Sequence, residues 1–485
     1  MFNLCSFDAI SRDVRNADTD LDCLSPNLNL LDACDVGAGK GGKDPSIAPL
    51  LNEFCDVLRT EIPGGLLPER FRADGTRTEH TIGTAQDAVP YSRPPRPFTP
   101  EETAEIYRYV QDLLDKGWIT PSLSPWAPPV LFIPKKRDPV TGVRTWRMCI
   151  SYVKLNSKTL NRTAYRLPRI ADLLARVSNA QYFSKLDLPS AFYQVRMRDS
   201  DIPKICFTTP CGNSEFKVMP MCLCGTPGKF QMLMDEAIAQ PTPIRYISVS
   251  FQEFASIYLD DVCVFSRSFE EHLLHLRAVL SRLRERKLYV KPVKCEWAQT
   301  EIEFLGHRAS PTGLSITHGK AEALQKWPVP TSVAEVRSVL GAFGFWRQYI
   351  RLYANSVEPL VVLTRKATPW GWGESEQPAF ERLKYAVQDS PVLKHPDQDL
   401  PFIAVTDASD CAIGASREQT DARDGFVCSF RIDPAERKYP VHERDLLATV
   451  PALRTWRQFL LGSEFSVVCQ TGHKPLQSFM TQPNL

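Results

Sequence analysis

Apolar positions along the chain change period several times, and each change marks an element. At residues 100–117 the spacing of Ile106, Val110, Leu113 and Leu114 is that of an amphipathic helix. Thr99 supplies an N-cap, Pro100 the first helical position and Glu102 a capping box, and Gly117 can end the helix in the left-handed conformation. From Pro129 to Val218 short β-like runs alternate with turns: PVLFI, WRMCI, AQYFSKLDL, YQVRM and EFKVM. IYLDDVCVF then reads as two apolar strand halves joined by an acidic pair, a β-hairpin with carboxylates at its tip. A second capped helix follows, begun by Ser268 and Glu271 and striped by Leu273, Leu276, Leu280 and Leu283. Residues 311–395 look largely helical, and near residue 398 the pattern returns to strand in LPFIAVTDAS. Ahead of all this, residues 86–100 carry five prolines and predict an extended connector. Residues 1–80, with the Gly/Lys tract GAGKGGKD, have too little periodicity to fix a fold. The whole reads as an α+β chain with a smaller α/β unit at its C-terminal end.

Composition narrows the class only a little. The 485 residues, 43% hydrophobic and 24% charged, suit a globular chain of two to four domains. No run of eighteen apolar residues is present, and MFNLCSFDAISRDV lacks the basic end and apolar stretch of a signal peptide. Fourteen scattered cysteines include no CxxC pair and read as free thiols rather than zinc ligands. The net charge of +2 conceals local concentration: ten basic residues lie between Lys135 and Arg169, opposed by Asp138 alone until Asp172. A second basic run is RLRERKLYVKPVK from Arg282 to Lys294. Such runs suit a polyphosphate ligand, although a solvated face would show the same pattern.

Adjacent carboxylates between apolar strands are costly unless a cation or hydrogen bonds compensate them. Asp260 and Asp261 form that pair, and Asp187 in FSKLDLPSAFYQV is a third carboxylate in a similar setting. Two-metal phosphoryl transfer needs such oxygen ligands bridging ions about 3.5–4 Å apart.

The order FSKLDLPSAFYQV, MPMCLCGTPGKFQMLMD, YLDDVCVFS, EHLLHLRAVLSRLRERKLYVKPVKCEW and EFLGH resembles the reverse transcriptase and ribonuclease H region of gypsy-type LTR retrotransposon polyproteins. The resemblance runs from about HTIGTAQDAVPYSRPP to residue 485. It implies a fingers–palm–thumb polymerase fold, followed by a connection segment and a truncated ribonuclease H-like α/β domain. The boundaries it suggests are 1–85 for a linker or incomplete leader, 86–310 for fingers and palm, 311–395 for thumb and connection, and 396–485 for the ribonuclease H-like part. It further implies an RNA-directed DNA polymerase using two Mg²⁺ or Mn²⁺ ions, an RNA and DNA primer–template and deoxynucleoside triphosphates. Asp187, Asp260 and Asp261 match the metal-binding aspartates, with Asp187, Asp260 and the Leu188 carbonyl as direct ligands. Phe192 takes the place of the aromatic under the incoming sugar, or is simply a core aromatic. Lys135 and Arg147 match residues that embrace the triphosphate, and Pro227 and Gln231 join the nucleotide-binding set. Lys294 is a proton donor to pyrophosphate or a plain surface lysine, and Phe304, Leu305, Gly306 and His307 match the turn supporting the primer terminus. Other products of the same polyprotein are expected partners, a membrane is not, and the expected location is a cytoplasmic virus-like particle and the nucleus.

Several positions depart from the family pattern. Ser151 and Val153 replace a charged pair in the fingers, and Cys222 stands where a glycine lets the backbone approach the nucleotide. Roughly ten extra residues around PTPIRYISVSFQE precede the acidic hairpin. Asp407 and Asp445 are the remaining ribonuclease H ligand candidates; Asp445 replaces a Glu, Gly472 replaces an Asp, and Pro451 falls inside a predicted helix. Two readings follow: a working polymerase without ribonuclease H activity, or a degenerate, non-catalytic relic that at most binds nucleic acid.

Overall fold

The helix over Pro100–Asp115 shows how closely local chemistry sets these elements. Glu102 N–H donates to Thr99 Oγ1 at 3.2 Å while Thr99 N–H donates to Glu102 Oε2 at 2.8 Å, closing the capping box. At the other end Gly117 takes φ +67°, with Gly117 N–H on Leu114 O and Trp118 N–H on Leu113 O, a Schellman ending. Ile106, Val110 and Leu113 are buried as the stripe requires. The computed structural model describes residues 39–471 except 42–44, 73, 138–143, 161–164, 178–179, 240–249, 351–352, 367, 389–391, 394–399, 409–411, 420–426, 432–438 and 462.

The described residues fall into two units, one of residues up to Arg169 with Phe183–Gln299, the other of Ile170–Tyr182 with residues from Thr300. At the centre of the first lies a four-stranded sheet in the order Glu296–Gln299, Tyr182–Asp187, Asp261–Ser266, Ala255–Tyr258. Helix Phe269–Glu285 packs on it, with Ser268 capping through Glu271 N–H at 3.2 Å. Its buried face holds His272, Leu276, Val279, Leu280 and Leu283, so a histidine and a valine share the leucine stripe. A three-stranded sheet (Ile119–Pro121, Gly212–Phe216, Cys206–Thr209) and the hairpin Val130–Arg137/Arg144–Ile150 complete the unit. YQVRM does not form the strand its pattern predicts. A 3₁₀ turn over Ala191–Gln194 interrupts it, entered through Ser190 at φ +46°, and only Arg196–Met197 pairs as a strand.

Residues 39–85, where described, are not a linker. Ile47, Leu50, Leu51, Phe54, Val57, Leu58, Ile62 and Leu67 are buried in the same core as the central sheet. Arg284 pairs with Asp56 and sits over the Phe54 ring, Arg277 pairs with Glu53, and Leu58 bridges to Val290. Part of the Gly/Lys tract adds a parallel bridge to the sheet edge: Lys40 N–H donates to Cys295 O at 3.2 Å and Trp297 N–H to Lys40 O at 2.8 Å. A side chain at Gly39 would meet Cys295 O at 2.5 Å, so only glycine lets the backbones come that close.

In the second unit a meander of Ile302–Phe304, His307–Ser310 and Gly313–Ile316 precedes helices His318–Gln325, Val333–Phe345, Tyr353–Val362 and Glu376–Gln388, which share one core. Apart from Ile170–Tyr182, the residues of this unit run from Thr300 onward. Strands Val427–Arg431, Ala412–Gln419, Phe402–Ala408 and Val468–Thr471 then form a sheet in that order, the last pair parallel. Helix Val441–Thr455 covers it and continues through Pro451. No helix among the described residues is long and apolar enough to cross a membrane.

Phe54 is 1% exposed. Phe54→Ala should therefore cost about 3–5 kcal/mol in urea unfolding, whereas the same change in a linker would leave the midpoint unmoved.

Candidate active site

The acidic hairpin forms as its pattern predicts. Tyr258 pairs with Asp261 and Ile257 with Val262, leaving Leu259 and Asp260 as a two-residue turn. Leu259 takes φ +55°, a left-handed conformation that costs a non-glycine residue about 1–3 kcal/mol. Gln231 holds that turn. Its side chain is fully buried; Oε1 accepts from Leu259 N–H at 2.7 Å, and Nε2 donates to Ile257 O at 3.2 Å and Asp235 Oδ1 at 3.0 Å. Expected to touch nucleotide, Gln231 has its amide committed to the hairpin instead.

Asp187 ends the neighbouring strand. Its N–H donates to Cys295 Sγ at 3.5 Å, and its carbonyl accepts from Lys291 N–H at 2.9 Å. That loop carries Lys294, whose Nζ lies 3.9 Å from Asp187 Oδ2. Lys185 Nζ lies 3.3 Å from Asp261 Oδ1. The loop after Asp187 is fixed by a second buried glutamine: Gln194 Nε2 donates to Pro189 O at 3.0 Å, and its Oε1 accepts from Tyr289 N–H at 3.0 Å. Gln194 closes the turn that bears Phe192, which meets Phe230 edge-on at 5.6 Å.

The charges of these carboxylates act on one another. Desolvation raises the Asp187 carboxyl above the usual range, Lys294 opposes it, and Asp261 adds to it. Asp260 is exposed at the tip, yet the protein behind it raises its pKa by desolvation, and Asp261 and Asp187 push the same way. Lys185, Lys291 and Lys294 all oppose the rise at Asp187, and desolvation outweighs them. Among the described residues no three His, Cys, Asp or Glu side chains close into a cage able to hold an ion alone. Mg²⁺ ordinarily takes one or two carboxylates and fills its sphere with water and substrate phosphates. The open, under-neutralised set of Asp187, Asp260 and Asp261 fits that kind of binding.

Behind the sheet lies a polar network that the sequence pattern conceals. His272 Nε2 meets Ser184 Oγ at 2.7 Å, its Nδ1 meets Ser266 Oγ at 3.0 Å, and Ser184 Oγ accepts from Ala298 N–H at 2.8 Å. Burial drives His272 down to about 3, so it stays neutral and ties three strands to the helix. The available signals were a histidine on an apolar stripe and a lysine two residues before Asp187, hence on the same strand face.

Other expected residues lie elsewhere in the structure. Arg147 is paired with Ile133 in the hairpin register, near enough for its charge to act on Cys149 and Cys222. Lys135 lies in the facing strand, with its side chain outside the described residues. Leu188 is buried and Pro227 is exposed in the first turn of helix Thr226–Met234. Phe304 and His307 belong to the second unit and pair across a two-residue turn in which Leu305 and Gly306 both have positive φ. His307 is buried against Tyr349 OH at 2.7 Å, and burial lowers its pKa to about 4. Asp407 lies in strand Phe402–Ala408 and Asp445 in helix Val441–Thr455, their side chains outside the described residues, as is Gly472. Of the extra segment before the hairpin, 240–249 is outside them too; Ser250 caps a 3₁₀ turn with Glu253.

A carboxylate-tipped hairpin beside an acidic strand end, on an antiparallel sheet backed by a helix, is the palm of a nucleotidyl-transferring polymerase. The comparisons with known proteins agree. A reverse transcriptase (RNA-dependent DNA polymerase) family model matches residues 133–309, and an RNase H-like domain found in reverse transcriptase matches residues 372–467. The Pol polyprotein of transposon 297 from Drosophila melanogaster is 33% identical over 400 residues, 82% of this chain and 36% of that protein. That of transposon opus, from the same organism, is 32% identical over 90% of this chain and 43% of that protein. The chain thus spans well under half the length of these curated relatives. A foamy viral protease-reverse transcriptase solved with dsDNA superposes with TM-score 0.73 at 20% identity, covering 90% of this chain and 87% of that one. Another, solved with an RNA/DNA hybrid, gives 0.71 at 20% identity over 90% of this chain and 56% of that one. The chain belongs to the reverse transcriptase and ribonuclease H-like region of gypsy-type retrotransposon Pol polyproteins, by family an RNA-directed DNA polymerase, and the family implies dependence on a divalent metal.

Two predictions follow from the hairpin. In the unfolded chain Asp260 ionises near 3.8, and in the folded chain higher. Between those values the native state binds more protons, so stability falls as pH rises through the window and remains lower at neutral pH. Asp260→Asn should raise Tm at pH 7 in metal-free buffer, the gain vanishing below the ordinary carboxylate range; no gain at pH 7 would mean the charges are not in conflict. Gln231→Leu leaves a backbone N–H and a carbonyl unpaired and should cost about 1–3 kcal/mol in denaturant unfolding, with primer extension reduced further than stability alone explains.

Proposed function

We propose that this chain extends a primer 3′-hydroxyl with deoxynucleotides on an RNA template, by two-metal nucleotidyl transfer, and has lost ribonuclease H activity. The observation that carries the reading is the gathering of Asp187, Asp260 and Asp261 at one buttressed hairpin, mutually repelling and under-neutralised. Asp187, Asp260 and the Leu188 carbonyl would hold two Mg²⁺ or Mn²⁺ ions. Such ions supply a lowered pKa for the primer hydroxyl and charge neutralisation for pyrophosphate. Arg147 grips triphosphate oxygens with its forked guanidinium, and Lys135 adds a point charge. Phe192, held by the Gln194 turn and Phe230, places its ring under the incoming sugar and leaves no room for a 2′-hydroxyl. Lys294, beside Asp187, hands a proton to the departing pyrophosphate. Pro227 joins the nucleotide contacts, and the family resemblance assigns the turn Phe304–His307 to the primer. The duplex is bound by backbone and shape, as suits copying without sequence preference, and the neighbours solved with an RNA/DNA hybrid and dsDNA support that partner.

Loss of ribonuclease H rests on Gly472 and Asp445 in place of family Asp and Glu. The competing reading, a non-catalytic relic, is motivated by Ser151, Val153 and Cys222. Ser151 N–H still meets Pro129 O at 3.3 Å and Val153 is exposed, so the fingers close without the charged pair.

The test is primer extension on RNA with Mg²⁺ or Mn²⁺, comparing the chain with Asp260→Ala and scoring cleavage of a labelled RNA/DNA hybrid in parallel. Extension by the parent alone, with the hybrid left intact, is the expected result. Absence of extension from a folded parent would leave the relic, and hybrid cleavage would overturn the ribonuclease H claim.

A further inference from the structure

Arg70 belongs to the stretch expected to be a linker, yet its side chain is buried, 7% exposed, within the first unit. Its guanidinium donates to three main-chain carbonyls: Nη1 to Gln194 O at 2.5 Å, Nε to Arg286 O at 2.7 Å and Nη2 to Lys287 O at 3.0 Å. Arg286 caps helix Phe269–Glu285 and Lys287 follows it, so two of these bonds close the helix end. The third reaches the turn that bears Phe192. Gln194 C=O and Val195 N–H belong to one planar peptide unit. Arg70 holds its oxygen, and its N–H donates to Phe192 O at 3.1 Å. Arg70 is itself placed by its neighbours. Thr78 N–H donates to Arg70 O at 2.8 Å, Glu79 and His80 pair with Arg196 and Met197, and Arg196 Nε donates to Leu67 O. The described residues between 67 and 80 thus lie along the chain leaving the Phe192 turn and fasten that turn to a helix end.

We propose that Arg70 is a positioning residue for sugar discrimination: by fixing the Gln194–Val195 peptide it holds the Phe192 ring against a ribose 2′-hydroxyl. The inference rests on the reading above that Phe192 lies under the incoming sugar. Phe230, edge-on at 5.6 Å, limits the ring from one side, and the turn sets where its backbone sits. A planar fork suits this task, because it fixes several carbonyl directions at once, whereas a lysine is a point charge on a flexible stem. Were the clasp only a cap for the helix, its loss would lower stability and leave sugar selectivity alone. The bond to Gln194 O makes the turn depend on that helix end, so a loosened fork lets the ring give way to the extra hydroxyl. Exclusion of one small group is worth about 10–200-fold in selectivity, and loss of the fork should return about tenfold of it.

The test measures kcat/KM for a deoxynucleotide and for its ribonucleotide in single-nucleotide primer extension by the full chain. Arg70→Lys, Phe192→Val and the double variant are compared with the parent, and hydrogen–deuterium exchange follows the peptide carrying Val195 N–H. Ser268→Ala, which removes the cap at the other end of the same helix, controls for destabilisation. The proposal expects Arg70→Lys to lower the deoxy-over-ribo ratio by about tenfold and to quicken Val195 exchange. It expects Ser268→Ala to leave the ratio unchanged, and the Arg70 change to add nothing once Phe192 is valine. An unchanged ratio in folded Arg70→Lys, an equal further fall on top of Phe192→Val, or unaltered exchange each overturns it. An equal fall in Ser268→Ala assigns the effect to destabilisation and overturns it too. If circular dichroism shows Arg70→Lys unfolded, Arg70→Gln, which keeps a donor without burying a charge, takes its place. If the parent extends no primer, the polymerase reading fails and the sugar role with it, while the exchange result still decides the clasp.

Discussion

Two carboxylates at the tip of a two-stranded ribbon and a third at the end of the strand beside it push one another apart, and a ribbon alone is too soft to resist. Everything around the hairpin of this chain answers that repulsion. Gln231 grips the turn from inside the core, Lys291 and Cys295 hold the backbone of Asp187 from the opposite edge, and Lys185 and Lys294 each quiet one carboxylate. Desolvation still raises Asp187 and Asp260 against these lysines, so the site stores electrostatic conflict. Such conflict persists only where the scaffold over-determines it.

The scaffold draws on distant parts of the chain. His272 ties the strand of Asp187 to the strand of Asp261 through Ser184 and Ser266, behind the carboxylates. The edge strand that supports Asp187 is itself extended by Lys40 and packed by residues 47–67. A segment without apparent periodicity is therefore part of what keeps the palm sheet rigid.

Legibility in the sequence followed the range of the contacts. The capping box at Thr99, the Ser268 cap and the two halves of IYLDDVCVF are written within a few residues, and the sequence shows them. The burial of Phe54 depends on Arg284, and the bridge at Leu58 on Val290, more than two hundred residues away, so no local pattern could reveal them. Gln231 was visible as a motif residue but not as a brace. A glutamine in a helix reads the same whether its amide meets a nucleotide or a backbone, and only the fold distinguishes the two. YQVRM misled because its first two residues close a 3₁₀ turn begun upstream at Ala191, which the run itself does not show.

Cys222 shows how a backbone requirement outlives the residue that best meets it. The turn still demands φ +72°, which costs a residue with a Cβ about 1–2 kcal/mol relative to glycine. Asn156 brackets the turn with hydrogen bonds on both sides. These contacts act on the backbone on either side of the turn and offset part of its strain. The substitution is thus one the fold tolerates, and stability alone says nothing about whether the site still works.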